Sequence, residues 1–488
     1  MQWLSSALLF CLFSSQIMAF EHFISRKDHQ LFDGDEVFRF AGLHAPELHR
    51  IENDALGTCP NDPRGWGQYF QWPTADEQEN WIKALVKSGH KAMRIYVLSV
   101  QQESDKACGR ETHILAPLSK GGKPRLNEKA MVVYDNMIAL ADKHGLRLIL
   151  PFIDHWQWWG GREQLAAFYD EPQEAFYDVH SQTYKAYLHI IEQVISRKNT
   201  LTGRHYNAEK AIMAWETGNE LKETTQPFLE TTVALIDKLA PQQLIVDGNY
   251  LQLNDFAMNN PHVDIISNHF YTTNNNNKPE TIKQDLAQIA GRKAYMVGEF
   301  GLTDASILNN IMQTAVHHEY QGAQAVGAFI WGFRGHRHNG GFYFHKEYTG
   351  HYSYRLPGFM DAEENQEIAV VDLVRLAQAQ MQGLEKAPAL PAPEAPILRP
   401  IETVNNIQWL GAPLGQHYRI ERSINSDGPW QVIGDNITDG KQAFDPAKDS
   451  LFADNAALIK GNTYFYRVIA VNVSGESAPS NVESYQFE

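Results

Sequence analysis

Up to residue 386 the chain alternates short apolar, β-branched runs with longer stretches whose apolar residues recur at helical spacing. That alternation is the signature of strand–helix units assembled on a parallel sheet. Eight runs predict strands, at 37–43, 92–98, 146–153, 212–215, 244–247, 265–270, 295–299 and 328–331. Eight such units suit a sheet closed on itself as a (β/α)8 barrel. Between them the spacing predicts helices over 76–87, 128–143, 176–195, 228–239, 282–290 and 307–320. Pro73 and Thr74 precede the first of these, and His144-Gly145 ends the second. The segment 249–264 is too irregular to predict a helix. Long connections follow the first, second and eighth strands, and in a parallel barrel the connections leaving the carboxyl ends of the strands build the active site. The last of them, 332–359, is rich in aromatic residues and histidine, with His336, His338, Tyr343, His345 and Tyr354 among them.

The pattern changes where Pro388, Pro391, Pro393, Pro396 and Pro400 cluster. Residues 387–397 read as an extended, semi-rigid linker. Beyond it, short strands at 417–422, 430–433 and 464–472 alternate with turns rich in Gly, Asn, Asp and Pro. The run 461–472, followed by Gly475 and Ser477, resembles the late strands of a fibronectin type III domain, and Tyr464 matches that family's tyrosine corner. The expected fold is therefore α/β, a (β/α)8 TIM barrel over 20–386, followed by a small all-β, immunoglobulin-like (fibronectin type III) sandwich over 398–488.

Composition narrows the function. Of 488 residues, 43% are hydrophobic and 11% aromatic, enough for a large core and against disorder. The formal net charge of −16 repels phosphate backbones, so no nucleic-acid partner is expected. The apolar stretch 8–13 is too short to span a bilayer and precedes Ile17-Met18-Ala19, so 1–19 read as a signal peptide, although no Lys or Arg precedes the apolar run. No later segment is apolar enough to anchor the chain in a membrane. The expected location is secreted or periplasmic, and the expected state is a monomer. Cys59 and Cys108 would be the pair remaining after cleavage, which suggests one disulfide; two free thiols are the alternative.

Two carboxylates stand out. Glu220 ends Ala214-Trp215-Glu216-Thr217-Gly218-Asn219-Glu220 after the fourth apolar run, and Glu299 lies in Val297-Gly298-Glu299-Phe300-Gly301 at the end of the seventh. On a barrel both would project from the same rim. Cleavage of a glycosidic bond needs one carboxyl protonated, to donate to the leaving oxygen, and one ionised. When the second attacks the sugar directly, the two lie roughly 5–5.5 Å apart. Taken singly, each Glu could instead be a strand-end carboxylate paired with a helix N-terminus.

Asn219-Glu220, His269-Phe270-Tyr271, Gly298-Glu299-Phe300-Gly301 and Trp331 fall in barrel order at strand ends. Over about residues 38–383 the chain resembles glycoside hydrolase family five, retaining barrels with catalytic glutamates on strands four and seven. The resemblance implies Glu220 as acid/base and Glu299 as nucleophile. Asn219 would bond the sugar 2-hydroxyl, Tyr271 would contact the nucleophile, and His269 would order the acid/base side. Arg94 would lower the pKa of Glu299 by its fixed charge. Trp331 would be the platform for the sugar ring. Arg94 could instead form a helix–strand salt bridge, and His269, Tyr271 and Trp331 could be packed core. The turn Phe152-Ile153-Asp154-His155-Trp156-Gln157-Trp158-Trp159-Gly160-Gly161 resembles that of the β-mannanase branch. It makes His155 and Trp156 substrate-binding candidates, with Asp154 competing for the place of His155 and at least one Trp in the core.

Two departures bear on the subfamily: Leu221 follows Glu220 where Pro is frequent, and Gly218 precedes Asn219. The loop 332–359 is unlike a short endo-mannanase loop and could block one end of the cleft. His317-His318 and the loop histidines lack a ligand pattern with acidic partners, so neither metal nor cofactor is expected. The chain lacks both a Gly-x-Ser-x-Gly elbow and P-loop spacing. The reading is a secreted retaining glycoside hydrolase acting on β-1,4-linked polysaccharide or oligosaccharide, mannan first. The alternatives are a β-1,4-glucanase, an exo-acting β-mannosidase or β-glucosidase, and, in a different class, a non-catalytic carbohydrate-binding or adhesion protein.

Overall fold

A computed structural model describes residues 20–63, 67, 69–347, 349–351, 353–359 and 366–488. The signal-peptide expectation for 1–19 lies outside the described residues. Eight strands form one sheet: β1 (Phe40–His44), β2 (Ala92–Arg94), β3 (Arg147–Pro151), β4 (Ile212–Glu216), β5 (Leu244–Asp247), β6 (Ile265–Phe270), β7 (Ala294–Gly301) and β8 (Ala325–Trp331). Their order is β1-β8-β7-β6-β5-β4-β3-β2, with every neighbouring pair parallel. The remaining seam, between β1 and β2, is joined where Ala45 N–H donates to Arg94 O at 3.2 Å. Helices cover the outside, and the chain folds as a (β/α)8 TIM barrel.

Almost every strand residue is buried because both faces are covered. Ala92, Met213, Leu244, Ile265, Ala294 and Phe40 fill the amino-terminal end of the interior, where Ile24 and Leu31 of an N-terminal antiparallel hairpin plug the floor. Val37, placed by periodicity at the start of the first strand, pairs instead with Phe32 of that hairpin and is exposed. The helix Ala75–Ser88 begins with a capping box: Glu77 N–H donates to Thr74 Oγ1 and Thr74 N–H donates to Glu77 Oε2 at 2.8 Å. The single helix expected over 176–195 is two elements, a 3-10 turn Gln173–Tyr177 and a helix Gln182–Ile195. Ser181 makes the break by accepting from Tyr184 N–H at 2.9 Å, an N-cap inside an otherwise continuous apolar pattern. A short helix, Asp255–Asn259, forms in the irregular segment, and Glu367–Met381 packs beside β1. Cys59 and Cys108 are bridged, with Cα atoms 5.7 Å apart, tying the connection after β1 to that after β2. Among the described residues no helix is long and apolar enough to cross a membrane.

The C-terminal part is all β. β9 (Ile397–Leu398) pairs with β10 (Trp409–Leu410). β11 (His417–Ser423), β12 (Gln431–Ile437), β13 (Thr463–Asn472), β14 (Gly475–Glu476) and β15 (Glu483–Gln486) form an antiparallel sheet around β11 and β13. Trp409, Tyr418, Ile420, Tyr466 and Val468 form a core separate from the barrel's. Tyr464 Oη accepts from Ile459 N–H at 2.8 Å. The proline-rich segment is not a free spacer. Pro391 O accepts from Asn472 Nδ2 at 2.8 Å, and Glu394 pairs with Lys83 and Lys87 at 3.1 Å each. A segment without internal hydrogen bonds leaves its carbonyls free, and here neighbours use them.

Candidate active site

The carboxyl ends of the strands open on a cavity of about 560 Å3. Arg94, the last residue of β2, lies at its base with its side chain fully buried. Its Nε and Nη2 donate to Glu216, the last residue of β4, at 2.6 and 3.0 Å. Nη2 also donates to Asn219 Oδ1 at 2.9 Å, and Nη1 donates to Glu299 Oε1 at 2.5 Å. A guanidinium is the one side chain that can reach three acceptors from one plane. Tyr271 Oη donates to Glu299 Oε2 at 2.8 Å, and His44 Nε2 is 3.5 Å from Glu299 Oε1. Asp154 takes the inward position of the third-strand turn, accepting from Asn219 Nδ2 at 3.0 Å and Tyr96 Oη at 2.7 Å.

Glu220 is reached differently. β4 ends at Glu216, and Glu220 stands on the turn beyond it with φ +52°, a left-handed backbone that costs a non-glycine residue of order 1–3 kcal/mol. The turn is held from both sides: Asn219 N–H donates to Ile153 O and Leu221 N–H to Gly248 O, each at 2.9 Å. Such close approach requires glycine. A Cβ on Gly248 would lie 1.8 Å from Gly218 O, and one on Gly218 would lie 2.6 Å from Ile153 O. Gly298 serves the other carboxylate, since a Cβ there would strike Ser267 Oγ and the His269 ring.

In this frame one carboxylate oxygen of Glu220, one of Glu299 and a ring nitrogen of His269 lie within 4.8 Å of one another. His269 Nδ1 is 3.0 Å from Glu220 Oε1 and 3.5 Å from Glu299 Oε2. Burial holds His269 down to about 4, so the ring is neutral near neutral pH. Burial pushes Glu220 up to about 7, opposed by the Trp156 indole, Arg94 and Lys222. Burial, with Glu220 adding to it, raises the pKa of Glu299 overall; His269, Arg94 and Tyr271 pull it down, Arg94 in the expected direction, without reversing the rise. Because the cation and the phenol sit on Glu299, a single negative charge shared by the pair settles there and the proton on Glu220. For Arg94 itself burial disfavours the charge, but Glu216 and Glu299 outweigh it and raise its pKa.

Both walls carry indoles. Trp156, 39% exposed, donates to Glu220 Oε2 at 2.6 Å, and Lys222 Nζ lies 4.4 Å from its ring and 5.0 Å from that of Tyr250. Opposite, Trp331 donates to Glu347 Oε1 at 2.6 Å and Trp158 to Glu52 Oε2 at 2.9 Å. His345 joins these carboxylates, 3.4 Å from Glu347 and 3.9 Å from Glu52, with Asp54 at 3.0 Å. Burial disfavours its charge, but Glu52 and Glu347 raise it to about 10, so His345 is cationic. Trp159 is core, edge-on to Phe70 and Tyr96.

The structure thus gathers Glu220, Glu299, Arg94, Asn219, His269 and Tyr271 into one network, with Trp156 and Trp331 on the walls. His155 is not among them. It turns away, with Nδ1 3.4 Å from Tyr177 Oη and accepting from Lys222 N–H at 3.3 Å, because Asp154 occupies the inward register. His44, Glu216, Tyr96, Glu52, His345 and Glu347 went unassigned by sequence reasoning. Glu216 and His44 carried a signal, a polar residue closing an apolar strand; Tyr96 sits inside the apolar run 92–98, Glu52 in a two-residue strand and His345 and Glu347 in the connection after β8, none with a signal of its own. Among the described residues two groups could converge on an ion, Glu220–His269–Glu299 and Glu52–Asp54–His345. In both, the positive charge is already internal, from Arg94 and from His345.

A family model described as glycoside hydrolase family 5, β-mannosidase-like, matches residues 77–299. A probable mannan endo-1,4-β-mannosidase A of Aspergillus oryzae is 27% identical over 261 residues, 47% of this chain and 64% of that protein. A probable mannan endo-1,4-β-mannosidase F of Neosartorya fischeri is 28% identical over 201 residues, 35% of this chain and 42% of that one. The chain therefore spans less than two thirds of the length of these curated relatives. A crystal structure of a family 5 mannosidase from Rhizomucor miehei superposes with TM-score 0.56 at 17% identity, covering 74% of this chain and 98% of that one. The endo-β-1,4-mannanase of Thermotoga petrophila gives 0.54 at 14% identity, covering 93% and 99%. Both structures share the barrel fold. Over residues 77–299, a span that holds Arg94, Glu220 and Glu299, the chain is similar to glycoside hydrolase family 5 in its β-mannosidase-like group.

Proposed function

We propose that the protein is a retaining glycoside hydrolase that cleaves β-1,4-linked mannan or manno-oligosaccharide, with Glu299 as nucleophile and Glu220 as acid/base. The observation that carries this is the pair of carboxyl groups, within 4.8 Å, buried at the base of one cavity and unequally surrounded by charge. That close approach suits direct attack, whereas activating a water from the opposite face needs carboxyls roughly 6.5–9.5 Å apart. Glu299 attacks the anomeric carbon while Glu220 gives its proton to the departing oxygen, leaving a glycosyl ester on Glu299. Esterification removes the anionic neighbour of Glu220, whose pKa falls, and Glu220 then takes a proton from the water that opens the ester. Asn219, held by Arg94 and Asp154, would meet the sugar 2-hydroxyl, and Trp331 would face its ring.

The mannan assignment draws on the names of the relatives and of the structural neighbours. The second reading is exo action on a chain end, favoured by the charged wall of Arg334, His345 and Glu347 beside Trp331. Digestion of mannohexaose decides between them: a spread of dimers to tetramers supports endo cleavage, and mannose alone from the outset supports exo cleavage. No release from mannan, glucomannan or mannohexaose would remove the mannan reading. We further infer that 1–19 direct export and that 398–488 form a fibronectin type III-like module, for which Tyr464 bonded to Ile459 is the support.

A further inference from the structure

The connection 332–359 faces two ways. Its inner side puts Arg334, His345, Lys346 and Glu347 on the cavity, and Glu347 holds the Trp331 indole. Yet among its described residues it has no helix or strand, only isolated bridges such as His336 with Phe342. Long connections without secondary structure keep one shape only when neighbours over-determine it.

The neighbour on its outer side is the C-terminal module. Asp439 Oδ2 lies 3.1 Å from His336 Nε2, both side chains buried. Arg355 Nη1 donates to Gly440 O, and Arg399 Nε donates to His338 O at 2.7 Å. Asn80 of the first barrel helix completes the junction, donating to Gly411 O at 2.6 Å and meeting His336 Nδ1 at 3.1 Å. His336 is therefore clamped between a barrel helix and the module, nine residues before His345. The fit is close: a Cβ on Gly411 would lie 2.3 Å from the His336 ring, and one on Gly440 would lie 2.0 Å from the Phe359 ring.

We propose that the C-terminal module is a positioning element of the cleft, with Asp439 and the Gly440 carbonyl fixing the 332–359 connection and thereby setting His345 and Glu347 against Trp331. A module built as an independent sugar binder would have no need to bury polar groups against this connection. The catalytic part of the proposal rests on the glycosidase reading; the mechanical part does not.

The test uses the full chain carrying Asp439→Ala, Gly411→Ala, which wedges a methyl into the same contact, and Arg419→Ala on the module's sheet as control. Hydrogen exchange is read on peptides covering 332–347, and kcat and KM on mannotetraose. Asp439→Ala and Gly411→Ala should speed exchange in 332–347 about tenfold or more, leaving β4 and β7 protected. They should raise KM about fivefold or more with a smaller change in kcat and an unmoved pH profile, whereas mere loss of folded enzyme lowers kcat alone. Asp439→Asn, which keeps a polar side chain of the same size against His336 Nε2, should restore both, and Arg419→Ala should match the parent. Parental exchange in 332–347 for both folded variants would overturn the proposal. A parent inactive on mannosides would fail the glycosidase reading, and exchange would still decide the mechanical one.

Discussion

Trp156 donates its indole N–H to Glu220 Oε2 over 2.6 Å, while the other oxygen of that carboxyl faces His269 at 3.0 Å. The indole bond favours the ionised carboxylate and so works against the burial that lifts Glu220 to about 7. Since the acid must be protonated, kcat/KM on a natural leaving group should fall as pH rises through about 7. Trp156→Phe removes the donor and raises the pKa, so the alkaline limb should move up by about half a unit to one unit. A limb that stays put or moves toward acid would contradict the role of this bond.

Glu299→Ala should lower kcat roughly 10⁴-fold or more on every substrate. Glu220→Ala should lose roughly 10²–10⁴-fold on mannan, yet keep a first-step burst with a dinitrophenyl mannoside, whose leaving group needs no proton. Stopped-flow detection of the phenolate reads this, and a missing burst would count against Glu220 as the acid.

Arg94 touches Glu216, Glu299 and Asn219 with its side chain fully buried. Arg94→Met leaves two buried carboxylates without their cation and should cost roughly 3–5 kcal/mol in denaturant melts. It also removes one of the influences holding Glu299 down, so in whatever folded enzyme remains the acid limb of kcat/KM should move to higher pH. Parental stability and an unmoved acid limb would show that Arg94 is dispensable to both.

The bridge Cys59–Cys108 closes a loop of 49 residues. Chain-entropy reasoning gives about 4 kcal/mol for a loop of that size. The double variant Cys59→Ser/Cys108→Ser should melt at lower temperature with kcat little changed, because neither residue lines the cavity. A melt equal to that of the parent would place the two connections under other constraints.

Much of this was legible along the chain. β5 and β6 match the predicted strands residue for residue: each opens on apolar residues, Leu244-Ile245-Val246 and Ile265-Ile266, as a strand buried on both faces needs, and turns polar toward its carboxyl end. Glu299 and His269 could be placed because they sit on the strands themselves, where backbone period fixes which way a side chain faces. Glu220 lies on a left-handed turn held by Gly218 and Gly248, so no period points to its direction. His155 and Asp154 are adjacent, and a one-residue difference in register decides which faces inward. Glu347 and His345 belong to a connection whose shape is imposed by residues about a hundred positions further on, such as Asp439 for His336.

What the sequence by itself determined is the barrel, its eight strands and the polar residues that close them, since these depend on short-range period and burial. What only the tertiary structure decided is which of those residues meet and in what charge state. Arg94 and Glu299 are 205 positions apart and touch because the sheet closes. Their pKa directions follow from burial and neighbours that exist only once it has closed.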